Sequence, residues 1–338
     1  MNSAAATPMR IAIPDDYQDC VRGLACFDKL AGHHVTVFND TLRDVEGLAD
    51  RLRDFDALVL TRERTAVSAG LLARLPRLRL ISQTGRISSH VDVGACTARN
   101  VLVADGQGSG AATAELTWAL LLASRRHLVD EANALKAGRW QGHLGRQLLG
   151  RRLGVWSYGR IGRQVAAYGR AFGMEVWVWG RDASIASARN DGYPVAPSRA
   201  AFFAESDVVS LHIRLNAETR GLVTASDLAR MGQDALLVNT SRAELLPAGA
   251  LVAALRVGRP GFAAVDVFEQ EPVMDAAHPL LSLPNALCTP HIGYVERDNY
   301  EQYFGIAFDN IVAFAEGHPR NLVNPEVLAS PPRPEAAS

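Results

Sequence analysis

The chain has 338 residues, 48% of them apolar, with 35 basic and 36 acidic residues giving a formal net charge of -1. That is enough apolar chain for two cored domains, and the balanced charge gives no electrostatic reason to expect nucleic acid as a partner. Cys20, Cys26, Cys96 and Cys288 form no C-x-x-C pair, the nine histidines show no ligand spacing, and neither the amino-terminal MNSAAATPMR nor any later stretch has the apolar run of a signal peptide or membrane span. No metal, disulfide or membrane partner is therefore expected, and the cytoplasm is the expected compartment.

In chain order, short apolar runs at Met9–Ile13, His34–Phe38, Ala57–Leu60, Leu78–Ser82 and Val101–Ala104 alternate with helical patterns, which predicts a parallel sheet built of βαβ units. A longer helix is predicted over Ala111–Arg126. Six further runs follow, at Leu153–Trp156, Glu175–Trp179, Val208–Leu211, Ala235–Asn239, Ala263–Val267 and Ala286–Cys288, matching a six-strand nucleotide-binding sheet. A last helix is predicted over Glu296–Glu316, and the Pro- and Ala-rich tail from Ser330 reads as disordered.

The most informative segment is LGVWSYGRIGR, Leu153 to Arg163, in which a strand-like run breaks into a turn and then an amphipathic helix. Gly159 would let the backbone approach a pyrophosphate, and Gly162 would let the helix pack close to its strand. The free N–H groups opening the helix suit an anion. Ser157 stands where that fingerprint has its first glycine.

Downstream, polar residues fall where strands should end, the edge at which parallel sheets bind ligands. VNTSRAELL puts Arg242 after one strand, AAVDVFEQEP puts Asp266 and Glu271 after the next, and CTPHIG puts His291 after the last. One cation, two carboxylates and one imidazole would then share a crevice.

With SYGRIG, SDVVSLH, VNTSRAELL, DVFEQEP and TPHIG in this order, the chain resembles the D-isomer-specific 2-hydroxyacid dehydrogenase family over nearly all of residues 8–326. The resemblance implies an α/β fold of two domains, a Rossmann-type NAD(P)-binding domain (109–289) inserted into a flavodoxin-like substrate or catalytic domain (1–108 and 290–338), with the active site in the cleft between them. It implies that Arg242 holds the substrate carboxylate and carbonyl oxygen through its fork of donors. His291 becomes the acid/base, and Glu271 hydrogen-bonds to it and favours its protonated form. Ser157, Tyr158, Gly159, Arg160, Ile161, His212, Thr240 and Asp266 become cofactor residues, Asp266 on the nicotinamide side. The cofactor, NAD(H) or NADP(H), brings the redox chemistry. A homodimer built around the 111–126 helix is also implied, and the chain leaves no room for an appended serine-responsive regulatory domain.

Two departures from the family pattern bear on specificity. Gly180 stands where an acidic residue usually holds the adenosine ribose, Arg181 follows it, and Arg214 replaces a usual proline, so the reading leans towards NADP(H). In the substrate loop TGRISSHVD, Gly85 is kept and Ile87 takes the place of a second glycine. Arg62 and Arg64 stand where phosphoglycerate dehydrogenases of this family carry arginines, and with Arg86 nearby they predict a dianionic, phosphoglycerate-like 2-keto or 2-hydroxy acid. The alternatives are a glyoxylate/hydroxypyruvate-type reductase for small monoanions and a non-enzymatic, dinucleotide-responsive binding protein.

Overall fold

The computed structural model describes residues 8–329, so most of the amino-terminal segment and the tail from Ser330 lie outside the described residues. The chain forms two compact units, one from the residues before Gly110 and after Val295, the other from Gly110–Val295. The second unit therefore continues past the 289/290 boundary read from the sequence and includes His291.

In the first unit, β1 (Arg10–Ile13), β2 (His34–Val37), α1 (Val45–Leu52), β3 (Ala57–Leu60), α2 (Ala69–Leu72), β4 (Leu80–Gln83), α3 (Val93–Ala98) and β5 (Leu102–Ala104) follow in order. The five strands are all parallel, in the order β2-β1-β3-β4-β5. The run ALVL of β3 is buried throughout, as expected of a central parallel strand covered on both faces. Asp44, Ser68 and Asp92 start the three helices by accepting a hydrogen bond from the backbone N–H three residues on.

The second unit holds α4 (Ala111–Arg125), α5 (Leu128–Lys136), β6 (Arg152–Trp156), α6 (Arg160–Ala171), β7 (Glu175–Trp179), α7 (Asp182–Asn190), α8 (Arg199–Glu205), β8 (Val208–Leu211), α9 (Ala225–Arg230), β9 (Leu236–Asn239), α10 (Ala250–Val257), β10 (Phe262–Val265) and β11 (Ala286–Cys288). Its six strands run parallel in the order β11-β10-β9-β8-β6-β7. Val195, which the sequence reading left outside any strand, pairs in parallel with Val178 on the outer side of β7. The strand order reverses between β6 and β8, the position at which such sheets open a ligand crevice. Apolar cores lie on both faces, one around Trp156, Phe202 and Leu237, the other around Trp118, Val165 and Val238. The closing helix, α11 (Arg297–Ala315), returns to the first unit, where Ser82 Oγ donates to the Ala307 carbonyl. Among the described residues no helix is long and apolar enough to cross a membrane.

Helix α4 turns Ala114, Trp118, Leu120 and Leu121 into its own unit. The exposed apolar side chains come after it, with Leu128 60%, Leu135 59%, Trp140 76% and Leu144 94% accessible.

Gly162 fixes how closely α6 rides on β6. A Cβ there would lie 2.1 Å from the Ser157 carbonyl oxygen and 3.2 Å from Val155 Cγ1. Alanine favours a helix by up to about 1 kcal/mol over glycine, but this overlap forces the helix off the turn, so we expect Gly162→Ala to destabilise the fold by a net ~1–2 kcal/mol. Urea unfolding checks it; an unchanged midpoint would mean that α6 can shift freely.

Candidate active site

The turn between β6 and α6 has the shape its sequence implies. Gly159 is the N-cap of α6 in extended geometry, and a Cβ on it would meet nothing within 4 Å. The N–H groups opening this helix are thus approachable by a phosphate, and the helix dipole favours one there. These residues fit a dinucleotide pyrophosphate. Tyr158 can offer only its backbone, because its ring is buried against Tyr193 at 5.5 Å and its hydroxyl donates to Asp191 at 2.9 Å. Burial and that carboxylate push the phenol well above its usual range. Arg160 is exposed and Ile161 half-buried, both beside Gly110.

Ser157 adopts a left-handed φ of 78°, and its N–H donates to the Trp179 carbonyl at 2.7 Å. Gly180 lies beside it, and Arg181, exposed, is the N-cap of α7. After β8, His212 sits with Nε2 2.9 Å from Ser210 Oγ; Arg214 is exposed. Thr240, buried, is turned towards α4, its hydroxyl 2.7 Å from that of Thr117.

Arg242, Glu271 and His291 follow β9, β10 and β11, three adjacent strands of one parallel sheet, so all leave the same edge. The loop of Arg242 is tightly held: Asn239 Nδ2 donates to its carbonyl at 2.9 Å, Asn239 Oδ1 accepts from Ser241 N at 3.0 Å, and Ser241 Oγ donates to the Leu211 carbonyl at 2.7 Å. The half-buried guanidinium donates to the Ser241 carbonyl at 2.6 Å.

His291 and Glu271 form a dyad. Nδ1 of the imidazole lies 2.5 Å from Glu271 Oε2, while Glu271 Oε1 accepts from Phe268 N at 2.9 Å. The carboxylate is anchored at one oxygen and orients the ring with the other. That contact fixes the tautomer and leaves Nε2 for proton exchange. Tyr294 meets the ring edge-on at 5.4 Å.

Asp266, fully buried, does work that the sequence reading did not foresee. Its Oδ1 accepts from Thr289 Oγ1 at 2.6 Å and Ile292 N at 2.9 Å, and its Oδ2 accepts from Gly293 N at 2.8 Å. Burial raises the carboxyl above its usual range, opposed by these donors and by nearby His291. In this structure it holds the loop that carries His291.

The first unit gathers the expected substrate residues around the ends of β3 and β4. The guanidinium of Arg62 lies against Gly85, where a Cβ would be 2.1 Å from Nη1, and 5.5 Å from the Tyr303 ring centroid. Arg64 donates to the Asp15 carbonyl at 2.5 Å and to the Tyr300 hydroxyl at 3.3 Å, and packs on Tyr17. Asp105 pairs with Arg86 at 3.3 Å and accepts from Ile87 N at 3.2 Å, so it shapes the turn that follows Gly85. Tyr17, Tyr300 and Tyr303 carried no signal in the sequence, because only the fold brings them to these arginines.

The sequence reading also expected no metal cluster. The structure brings ligand atoms of His127, Asp130 and His143 within 4.8 Å of one another. The two imidazoles stack at 4.8 Å and Glu131 takes Nδ1 of His143 at 2.8 Å, contacts that account for the grouping without an ion.

Comparison with known proteins agrees with this geometry. A family model described as the D-isomer specific 2-hydroxyacid dehydrogenase, NAD binding domain, matches residues 118–293. A glyoxylate reductase of Aeropyrum pernix is 37% identical over 295 residues, covering 84% of this chain and 87% of that protein. An oxidoreductase from Ralstonia solanacearum has a structure matching with a TM-score of 0.93 at 52% identity, covering 95% of this chain and 98% of that one. A phosphoglycerate oxidoreductase from Vibrio cholerae O395 gives a TM-score of 0.89 at 53% identity, covering 91% and 99%. The chain belongs to the D-isomer specific 2-hydroxyacid dehydrogenase family. It is an oxidoreductase that works with a nicotinamide cofactor, and its second unit is the Rossmann-type cofactor-binding domain.

His212 gives this domain a pH signature. Enclosure of its ring pushes its pKa down from 6.5 to about 3, so the folded protein keeps it neutral while the unfolded chain protonates it. Stability should therefore fall as the pH drops below 6.5 towards 3, by up to about 1.4 kcal/mol per pH unit from this group, and by less where water reaches the ring. Unfolding free energies at pH 7 and 5 should differ less in His212→Gln than in the parent. Equal differences would mean that the ring opens to solvent before it matters.

Proposed function

We propose that the protein interconverts a 2-keto acid and the D-2-hydroxy acid, with Arg242 binding the carboxylate and carbonyl oxygen and His291 moving the proton. The observation that carries this is the 2.5 Å contact of Glu271 with His291 Nδ1, which dedicates the other ring nitrogen to the substrate. A nicotinamide held at the turn after β6 would supply the hydride chemistry at the substrate's C2. As charge gathers on the carbonyl oxygen, Arg242 stabilises it and His291 donates to it; in the oxidative direction His291 takes the proton back. Asp266 keeps the His291 loop in register and, as a further reading, meets the nicotinamide side. We expect His291→Gln to lower turnover by about two to four orders of magnitude with dinucleotide affinity nearly unchanged. Reduced-nicotinamide absorbance on a panel of 2-keto acids checks turnover and calorimetry checks binding; near-parental turnover in the variant would remove His291 from the mechanism, and a parent without turnover on any keto acid would favour a binding role for the fold.

The substrate we propose is a keto acid with a second anionic group. The phosphoglycerate oxidoreductase among the relatives supports this, and so does the position of Arg62 at the Gly85 turn. The glyoxylate reductase supports the smaller monoanion instead. Arg62, whose guanidinium lies at the Gly85 turn and donates to the Thr84 carbonyl at 3.4 Å, is the residue on which the two readings divide. Arg62→Gln should lower the ratio of kcat/KM for a phosphorylated keto acid over glyoxylate by about tenfold, the worth of one charged hydrogen bond, and the parent's preference should weaken with salt. An unchanged ratio would favour the small-substrate reductase.

The exposed guanidinium of Arg181 beside Gly180 supports NADP(H) over NAD(H), since a 2′-phosphate would meet a cation and no carboxylate at position 180 itself, Asp182 standing two residues on. A homodimer is further inferred, with a second copy covering the apolar side chains at Leu128, Leu135, Trp140 and Leu144 rather than α4. The free cysteines suit the cytoplasm.

A further inference from the structure

Two residues of the cofactor-binding domain depart from the dinucleotide fingerprint at neighbouring strand ends. The strand-ending turn after β6 begins with Ser157 where the dinucleotide fingerprint has glycine, and β7 ends in Gly180 where it has an acid. The fold makes them neighbours: β6 and β7 pair in parallel with Trp156 beside Trp179, and Ser157 N donates across to the Trp179 carbonyl. A Cβ on Gly180 would meet Ser184 Cβ at 3.2 Å and the Ser157 N and Cα at 3.5 Å, from a backbone at φ 158° that side chains rarely adopt. The tight contact is with Ser184, and the Ser157 backbone lies at ordinary van der Waals distance, so the strand ends are neighbours without crowding each other.

Ser157 holds φ 78°, a left-handed conformation that disfavours any residue with a Cβ and that glycine would adopt freely. It is half-buried, and among the described residues its hydroxyl makes no hydrogen bond that would explain its presence. Strained residues of this kind at the ligand edge of a sheet point to a binding role. We propose that Ser157 and Gly180 are an exchanged pair, in which the Ser157 hydroxyl takes over recognition of the adenosine ribose at its 2′ position and Gly180 leaves no carboxylate there to compete with it. A neutral hydroxyl can donate to a 2′-phosphate or bond to a 2′-hydroxyl, whereas a carboxylate repels the phosphate. The inference deepens the NADP(H) reading and rests on it for the direction of preference only.

Calorimetric titration of the full chain with NADPH and with NADH, together with thermal unfolding, tests it. Ser157→Gly should bind NADPH at least fivefold more weakly while its Tm rises, because the left-handed strain is gone. Gly180→Asp alone should lower the Tm, since its Cβ crowds Ser184, and gain nothing for NADH, since the Ser157 hydroxyl still holds the 2′ position. The double variant Ser157→Gly/Gly180→Asp should recover the Tm lost by Gly180→Asp and bind NADH more tightly than NADPH. Unchanged affinities in Ser157→Gly, or a Gly180→Asp variant that matches the double, would overturn the exchanged pair. A parent that prefers NADH overturns the NADP(H) reading instead, and the loss or retention of affinity in Ser157→Gly still decides the role of the hydroxyl.

Discussion

The buried carboxylate of Asp266 is the interaction on which the reactive edge depends. It closes β10 and gathers three donors from the segment 289–293, so that the chain leaving β11 is folded back over its neighbour. His291 lies inside that segment at a left-handed φ of 51°, a conformation that needs its surroundings to hold it. Thr113 adds a bond to the Gly293 carbonyl at 2.8 Å, tying the same loop to α4. Removing a carboxylate from water costs several kcal/mol, and three charge-assisted bonds of ~1.5–3 kcal/mol each roughly offset it. The net product is therefore placement of the imidazole rather than stability.

A second constraint works on charge. The arginines of the first unit are long and flexible side chains that would lose much rotamer freedom on binding an anion. Here that freedom is already restricted: Arg64 lies 4.4 Å from the Tyr17 ring centroid and Arg62 5.5 Å from that of Tyr303. Flat stacking suits a guanidinium, which is weakly hydrated and presents its donors at its edge. Lysines could not be held in this way. The aromatic partners thus matter to any anion preference as much as the arginines do.

Much of this was legible in the sequence, and the unread parts share a cause. The strands, the glycine turn, Arg242, Glu271 and His291 could be read because each signal is local: an apolar run, a turn residue, a polar residue just after a strand. The pairing of Val195 was missed because a single bridged residue leaves no run to read. Tyr300 and Tyr303 were missed because α11 returns them from the far end of the chain, and Tyr17 because only the fold sets the segment after β1 beside Arg64. Helix α4, read as a dimer helix from its small residues, turns Ala114, Trp118, Leu120 and Leu121 into its own unit, and periodicity does not tell what covers its other side. Thr240 and Tyr158 were read as cofactor residues from position alone, and their side chains bond to Thr117 and Asp191.

These differences also separate what is fixed in this chain from what is free to vary. The dyad, the Arg242 loop and the Asp266 anchor are bound to one another's strands by hydrogen bonds that a single substitution would leave unpaired, so the reaction type is built into the sheet edge. Arg181 and Arg214 are exposed side chains on loops, and changing them leaves no buried group without a partner. Arg62 stands between these cases. Its guanidinium fills the space that Gly85 leaves open, so a side chain at 85 would displace it, whereas Arg62 itself can change with Gly85 kept. Exposed residues such as Arg181 and Arg214 can therefore drift by single substitutions while the Glu271–His291 dyad on the sheet edge stays in place.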